Sequence, residues 1–109
     1  MFILNFKVMN KSLQDVIPSI KQYFTTQPIA RAWLFGSYSR EEETPDSDVD
    51  ILVQYTDSDR ISLFTISRIA CALQKIVGKR VDLVEDGCLL PFAKSSVNRD
   101  RILIYERES

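Results

Sequence analysis

Ile29-Ala30-Arg31-Ala32-Trp33-Leu34-Phe35-Gly36-Ser37 and, shortly after, Ser47-Asp48-Val49-Asp50-Ile51-Leu52-Val53 carry two strand signatures and the turn that leaves the first. Residues 29–35 read as a buried strand ending at Gly36. A glycine there lets the backbone turn sharply and come close to a ligand. Amides after such a turn can point at phosphate oxygens. The Ser37 hydroxyl adds a donor, and Arg40 is placed for charge-assisted contacts to the same phosphate oxygens. In the second strand, 49–54, Val49, Ile51 and Val53 share one face. Asp48 and Asp50, at i and i+2, share the other, roughly 6.5 Å apart along the strand. Two aspartates at that spacing repel unless something positive sits between them. Mg²⁺ suits the position, because it takes oxygen from one or two carboxylates and the rest from water and phosphate. A solvated strand edge, or an Asp48 that caps a turn, is the plainer account of the same residues.

A third strand is expected over 80–84, where Asp82 interrupts Val81, Leu83 and Val84. Its phase sets it to face Asp50 on a neighbouring strand, where opposed residues have Cβ atoms about 4.5–5.5 Å apart. Three aspartates then meet on one sheet face beside a glycine turn. That arrangement suits a two-metal site, with ions roughly 3.5–4 Å apart. Around these strands the periodicity is helical. Ser12 can cap a helix to about Thr25, with Leu13, Val16, Ile17, Ile20 and Phe24 on one face. Pro18 inside that pattern is expected to kink the helix or delay its start. A second helix over 61–77 places Leu63, Ile66, Ile69, Ala70, Leu73, Ile76 and Val77 on one stripe, and Gly78 suits its stop. Gly87 turns the chain after the third strand, a last helix is expected over 89–98, and 102–105 reads as strand or helix end. The fold class is α/β (α+β): a small mixed sheet flanked by helices.

With 109 residues the chain suits one domain, expected to span 1–109. Its composition, 45% hydrophobic and 27% charged, is that of a globular protein. A net charge of −1 and a pI near 5.4 speak against broad binding to a nucleic-acid backbone, so nucleic acid is not expected as a direct substrate. The absence of histidine removes His-type zinc sites and His general-base chemistry. Cys71 and Cys88 form no C-x-x-C pair and read as free thiols of a reducing cytosol. No apolar run approaches the length of a membrane span, and Met1 to Phe6 lacks the features of a signal peptide. A cytoplasmic location without membrane attachment is expected.

Taken together, Leu34-Phe35-Gly36-Ser37-Tyr38-Ser39-Arg40, Pro45-Asp46-Ser47-Asp48-Val49-Asp50-Ile51-Leu52-Val53 and Val81-Asp82-Leu83-Val84 resemble the minimal nucleotidyltransferases of the DNA polymerase beta superfamily. The likeness runs from about residue 13 to 105. It implies a polymerase beta-like fold, with Gly36 and Ser37 on the β/γ-phosphates and Arg40 beside them. It makes Asp48, Asp50 and Asp82 ligands of two Mg²⁺ ions, with Mn²⁺ as the alternative, and has Asp82 help deprotonate the attacking hydroxyl. The implied reaction moves a nucleoside monophosphate, AMP if ATP is the nucleoside triphosphate, and releases pyrophosphate. Minimal members resemble antitoxins paired with HEPN-domain ribonuclease toxins, which implies AMP transfer to a tyrosine hydroxyl of such a partner. Homo- and hetero-oligomers both stay open. Where the family usually has a glycine after the turn arginine, this chain has Glu41-Glu42-Glu43. That departure hints at another reading, a binding module of the same fold that neutralises a partner sterically; a small-molecule nucleotidyltransferase working with a second subunit is a third.

Other features have plainer readings. Glu41 to Glu43 read as a solvated loop, Trp33 as core or a partner-facing anchor, and Tyr38 as an exposed aromatic. Arg99, Asp100 and Arg101 read as surface ion pairs of little weight. The apolar start from Phe2 to Phe6 is expected to pack on the domain's own edge.

Overall fold

The structure, a computed structural model, describes residues 13–36, 48–57, 60–88 and 99–108. Helix α1 spans Leu13–Phe24 and is followed by strand β1, Ile29–Phe35. Strand β2 is Val49–Tyr55, helix α2 is Leu63–Val77, and strand β3 is Val81–Glu85. A short 3-10 turn, Asp86–Cys88, leads away from β3, and strand β4 covers Ile102–Glu106. The sheet order is β3-β2-β1-β4. β1 runs antiparallel to both β2 and β4, whereas β2 and β3 are parallel. A parallel pair needs a crossover, and α2 supplies it.

Both helices lie on one face of the sheet. Val16, Ile20 and Phe24 of α1 and Ile69 and Leu73 of α2 join Val49, Ile51, Val53 and Tyr55 of β2 in one core. The period-2 pattern of β2 therefore turns its valines and isoleucine toward the helices and leaves Asp50 on the opposite face. Helix α1 passes through Pro18 and begins at Leu13, so the proline does not delay it. Pro18 is exposed, which leaves the carbonyl it cannot pair open to water. In α2 the Ser62 hydroxyl accepts from the Thr65 amide at 3.2 Å, and Gly78 closes the helix at φ 77° with its amide donating to Gln74. Leu63, assigned to the core stripe from its spacing, is 80% exposed. Burial on that stripe starts at Ile66 and is complete at Ile69 and Leu73, so its first turn lies beyond the cover of sheet and α1.

Residues 102–105, open between strand and helix end in the sequence, form β4. The register slips between Ala32 and Trp33, and that bulge leaves Ile104 and Tyr105 as consecutive buried residues. β4 is fastened to α1 twice. The Tyr105 and Phe24 rings meet at 5.5 Å between centroids. Next to them, Arg107 donates to the carbonyls of Phe24, Gln27 and Ile29 at 3.0, 2.5 and 2.9 Å. A cation on the last carbonyls of a helix satisfies acceptors the helix cannot and complements its dipole. Arg107→Met keeps the apolar stem and is expected to cost about 1–3 kcal/mol in a urea unfolding titration.

Burial, with the charges of Glu85 and Cys88, pushes the Tyr55 hydroxyl up to about 12. Its folded pKa lies above the unfolded value, so its contribution is complete below pH 10 and is lost as pH rises toward 12. Absorbance at 295 nm is expected to show a tyrosinate component with its midpoint near pH 12, missing in Tyr55→Phe. The expected helix over 89–98 and the apolar start at Phe2 to Phe6 lie outside the described residues. No helix among the described residues is long and apolar enough to cross a membrane.

Candidate active site

The candidate site sits where β1 ends and β2 and β3 begin. Phe35 pairs with Asp50 across the antiparallel β1–β2 ladder. Gly36, at φ 75°, turns the chain away immediately after. The Asp50 carboxylate lies against the Gly36 Cα: a Cβ built there would overlap Asp50 Oδ2 and sit 3.2 Å from Asp50 Cγ. The glycine thus meets two demands at once, a left-handed backbone and room for a carboxylate.

On the other side of β2, Asp50 pairs with Asp82 of β3 and Val49 with Val81. Partners in a parallel ladder share a face, so the two carboxylates project from the same side of the sheet on strands about 4.8 Å apart. The Val49 amide donates to Arg80 at 2.9 Å and holds the two strand starts together. Asp48 stands just ahead of β2, half-buried like Asp50, whereas Asp82 is exposed. Among the described residues no three acidic or thiol side chains converge to hold a metal ion. Mg²⁺ does not require three, since one or two carboxylates with phosphate and water complete its shell. The all-oxygen pair Asp50 and Asp82, with Asp48 beside it, is chemistry that fits such an ion. Ser37 and Arg40 lie outside the described residues, as do Tyr38 and Glu41 to Glu43.

Further along the same face runs a polar chain that sequence reading missed. Arg31 Nε donates to Glu106 at 2.7 Å, and Arg31 Nη1 to Gln54 Oε1 at 3.4 Å. Gln54 Nε2 in turn donates to Asp86 at 3.2 Å, and Asp86 accepts from Arg101 at 3.4 Å. The Arg101 guanidinium also lies over Trp33, 4.3 Å from the ring centroid, a contact favoured by the ring quadrupole. Trp33 is thereby part of the interior, 8% exposed, and Arg101 is more engaged than a loose surface ion pair. Only the period of β2 hinted at this, since Gln54 follows Asp48, Asp50 and Leu52 on one face. Arg99 and Asp100 do pair at the surface, at 3.5 Å. Cys71 and Cys88 are free and exposed.

Comparison with known proteins identifies the family and the fold. The sequence profile described as "Polymerase beta, Nucleotidyltransferase" matches residues 18–109. The chain belongs to the polymerase beta nucleotidyltransferase family, and so by class to the enzymes that transfer nucleotides. A Methanocaldococcus jannaschii protein provisionally named a protein adenylyltransferase is 33% identical over 95 residues, 87% of this chain and 90% of the relative. The protein adenylyltransferase MntA of Thermococcus cleftensis is 37% identical over 71 residues, 65% of this chain and 70% of that one. Among solved structures, a provisionally assigned minimal nucleotidyltransferase superposes with a TM-score of 0.71 at 30% identity, covering 83% of this chain and 90% of its own. A Shewanella oneidensis structure of a tri-AMPylated HEPN toxin in complex with an MNT antitoxin shares the fold, with a TM-score of 0.54 at 24% identity, covering 98% and 74%.

Proposed function

We propose that this chain is a single minimal nucleotidyltransferase domain that moves AMP from ATP onto a tyrosine hydroxyl of a HEPN-type toxin and so acts as its antitoxin. The observation that carries this reading is the Asp50–Asp82 register beside the Gly36 turn, which sets two carboxylates and a backbone turn at one corner of the sheet. The names of the relatives support the choice of AMP and of a protein acceptor. In this reading Gly36 and Ser37 bind the β/γ-phosphates with Arg40 beside them, and Asp48, Asp50 and Asp82 hold Mg²⁺ or Mn²⁺. The ions would neutralise charge on the triphosphate and on the attacking and leaving oxygens.

The remaining work falls to the chain. The turn and its arginine orient the triphosphate, so that transfer depends on positioning more than on covalent catalysis. Asp82, the exposed member of the pair, accepts the proton of the tyrosine hydroxyl as its oxygen bonds to the α-phosphorus. The bond from that phosphorus to the bridging oxygen breaks, and pyrophosphate leaves with the electron pair.

One observation favours a second reading, in which the fold neutralises its partner by binding alone: the three aspartates do not converge on a single point. Incubation with Mg²⁺ and the product of the adjacent gene separates the two. Label reaching the partner from α-labelled but not γ-labelled ATP, and lost in Asp48→Asn, is the result expected of the transferase. Tight binding of the partner without label would favour the binding module and overturn the transferase.

A further inference from the structure

From the Gly36–Asp50 contact we infer that Gly36 is a positioning residue for Asp50, in addition to any part it has in holding phosphate. The inference rests on the transferase reading for its functional meaning and on the β1–β2 register for its geometry. Phe35 and Asp50 are ladder partners, so the residue after Phe35 lies beside the Asp50 side chain. In this position the Asp50 carboxylate occupies the space that any L-side chain at 36 would need. A built Cβ overlaps Oδ2 and is 3.2 and 3.5 Å from Cγ and Cβ of Asp50. The 3.5 Å to Cβ is ordinary contact, but the 3.2 Å to Cγ is tight and is not relieved by turning the carboxylate oxygens alone. Either the side chain changes χ1 or the turn shifts. On the other flank of β2 stands Asp82, so a displaced Asp50 carboxylate that swings across the strand approaches a like charge.

Glycine at 36 therefore selects one placement of the Asp50 oxygens, and the turn and the carboxylate act as one unit. The left-handed φ of 75° is a separate demand, and the two can be told apart. Asn visits left-handed backbone far more readily than Ala, yet carries the same Cβ. If φ alone mattered, Gly36→Asn would be well tolerated. If room for Asp50 matters, Asn fails as Ala does.

The test uses the full chain, with Mn²⁺ as the probe, alone and with α,β-methylene ATP, followed by electron paramagnetic resonance. Gly36→Ala and Gly36→Asn are both expected to weaken Mn²⁺ binding by about 10–100-fold, the range seen when a group that orients a metal ligand is altered. Melting temperatures supply a readout independent of metal and activity. The loss caused by Gly36→Ala is expected to fall by half or more when Asp50 is already Ala, because contacting residues are not additive. Equal losses in the two backgrounds overturn the inference. Mn²⁺ binding by Gly36→Asn at the strength of the unchanged protein overturns it too, whatever the melting temperatures show. Failure of the unchanged protein to transfer label, with Mn²⁺ still bound and lost in Gly36→Asn, would overturn the transferase reading and leave Gly36's positioning role standing.

Discussion

Asp50→Asn is expected to slow AMP transfer by on the order of 10²–10³-fold, measured as initial rates with α-labelled ATP at saturating Mg²⁺. Asp50 lies on an inner strand, between Phe35 of β1 and Asp82 of β3, half-buried at the strand start. Asn keeps its shape and removes its charge. In the proposed reaction this removes a ligand that would neutralise a divalent ion, and the stabilisation of developing charge with it. Stability should respond in the opposite sense. The substitution removes a like charge beside Asp82, so the melting temperature is expected to hold or rise. A large loss of rate in a protein that melts no earlier assigns the effect to chemistry. A large loss of both would mean that Asp50 is a structural residue of the β1–β2 corner.

Leu73→Ala addresses the other half of the molecule, the crossover that brings Asp82 to Asp50. Leu73 is fully buried on α2 within the core formed by both helices and β2. Truncation removes apolar burial and leaves a cavity, at a cost of about 2–5 kcal/mol. Domains of this size have only about 5–15 kcal/mol in total. The melting temperature is expected to fall by about 8–20 °C, at roughly 4 °C per kcal/mol. Below the transition the residual rate of transfer should stay close to that of the unchanged protein, because Leu73 faces away from the carboxylates. A fall of less than about 4 °C would mean that α2 repacks freely over the sheet.

The parts of this fold that declared themselves in the sequence are those governed by local rules. The strand starting at Ile29, the helix ended by Gly78 and the alternation through Val49, Ile51 and Val53 follow from turn chemistry and side-chain period. Asp82 stood out because a carboxylate interrupts an apolar strand, and the structure sets it beside Asp50. What stayed hidden depends on long-range register. The space above Gly36 is filled by a residue of another strand, so no reading of Phe35-Gly36-Ser37 alone reveals it. Ile102 to Tyr105 was ambiguous because a bulge places two buried residues in succession and erases the period-2 signal. Leu63 fits the helical stripe perfectly well and is still exposed, since periodicity tells which side a residue is on and not how far the cover extends. The network from Arg31 to Arg101 joins three strands and the turn after β3, and only their pairing brings it together.

The strand order has a further consequence during synthesis. β1, β2 and β3, with the Gly36 turn, Asp50 and Asp82, all precede residue 86 in the order of synthesis. The strand that seals the other side of β1 does not begin until Ile102. Until β4 pairs, the edge of β1 at Ala32, Trp33 and Leu34 stands open. An open apolar edge invites pairing with another strand. A substitution that weakens the β1–β4 pairing therefore prolongs exposure of this edge and should lower the yield of soluble product.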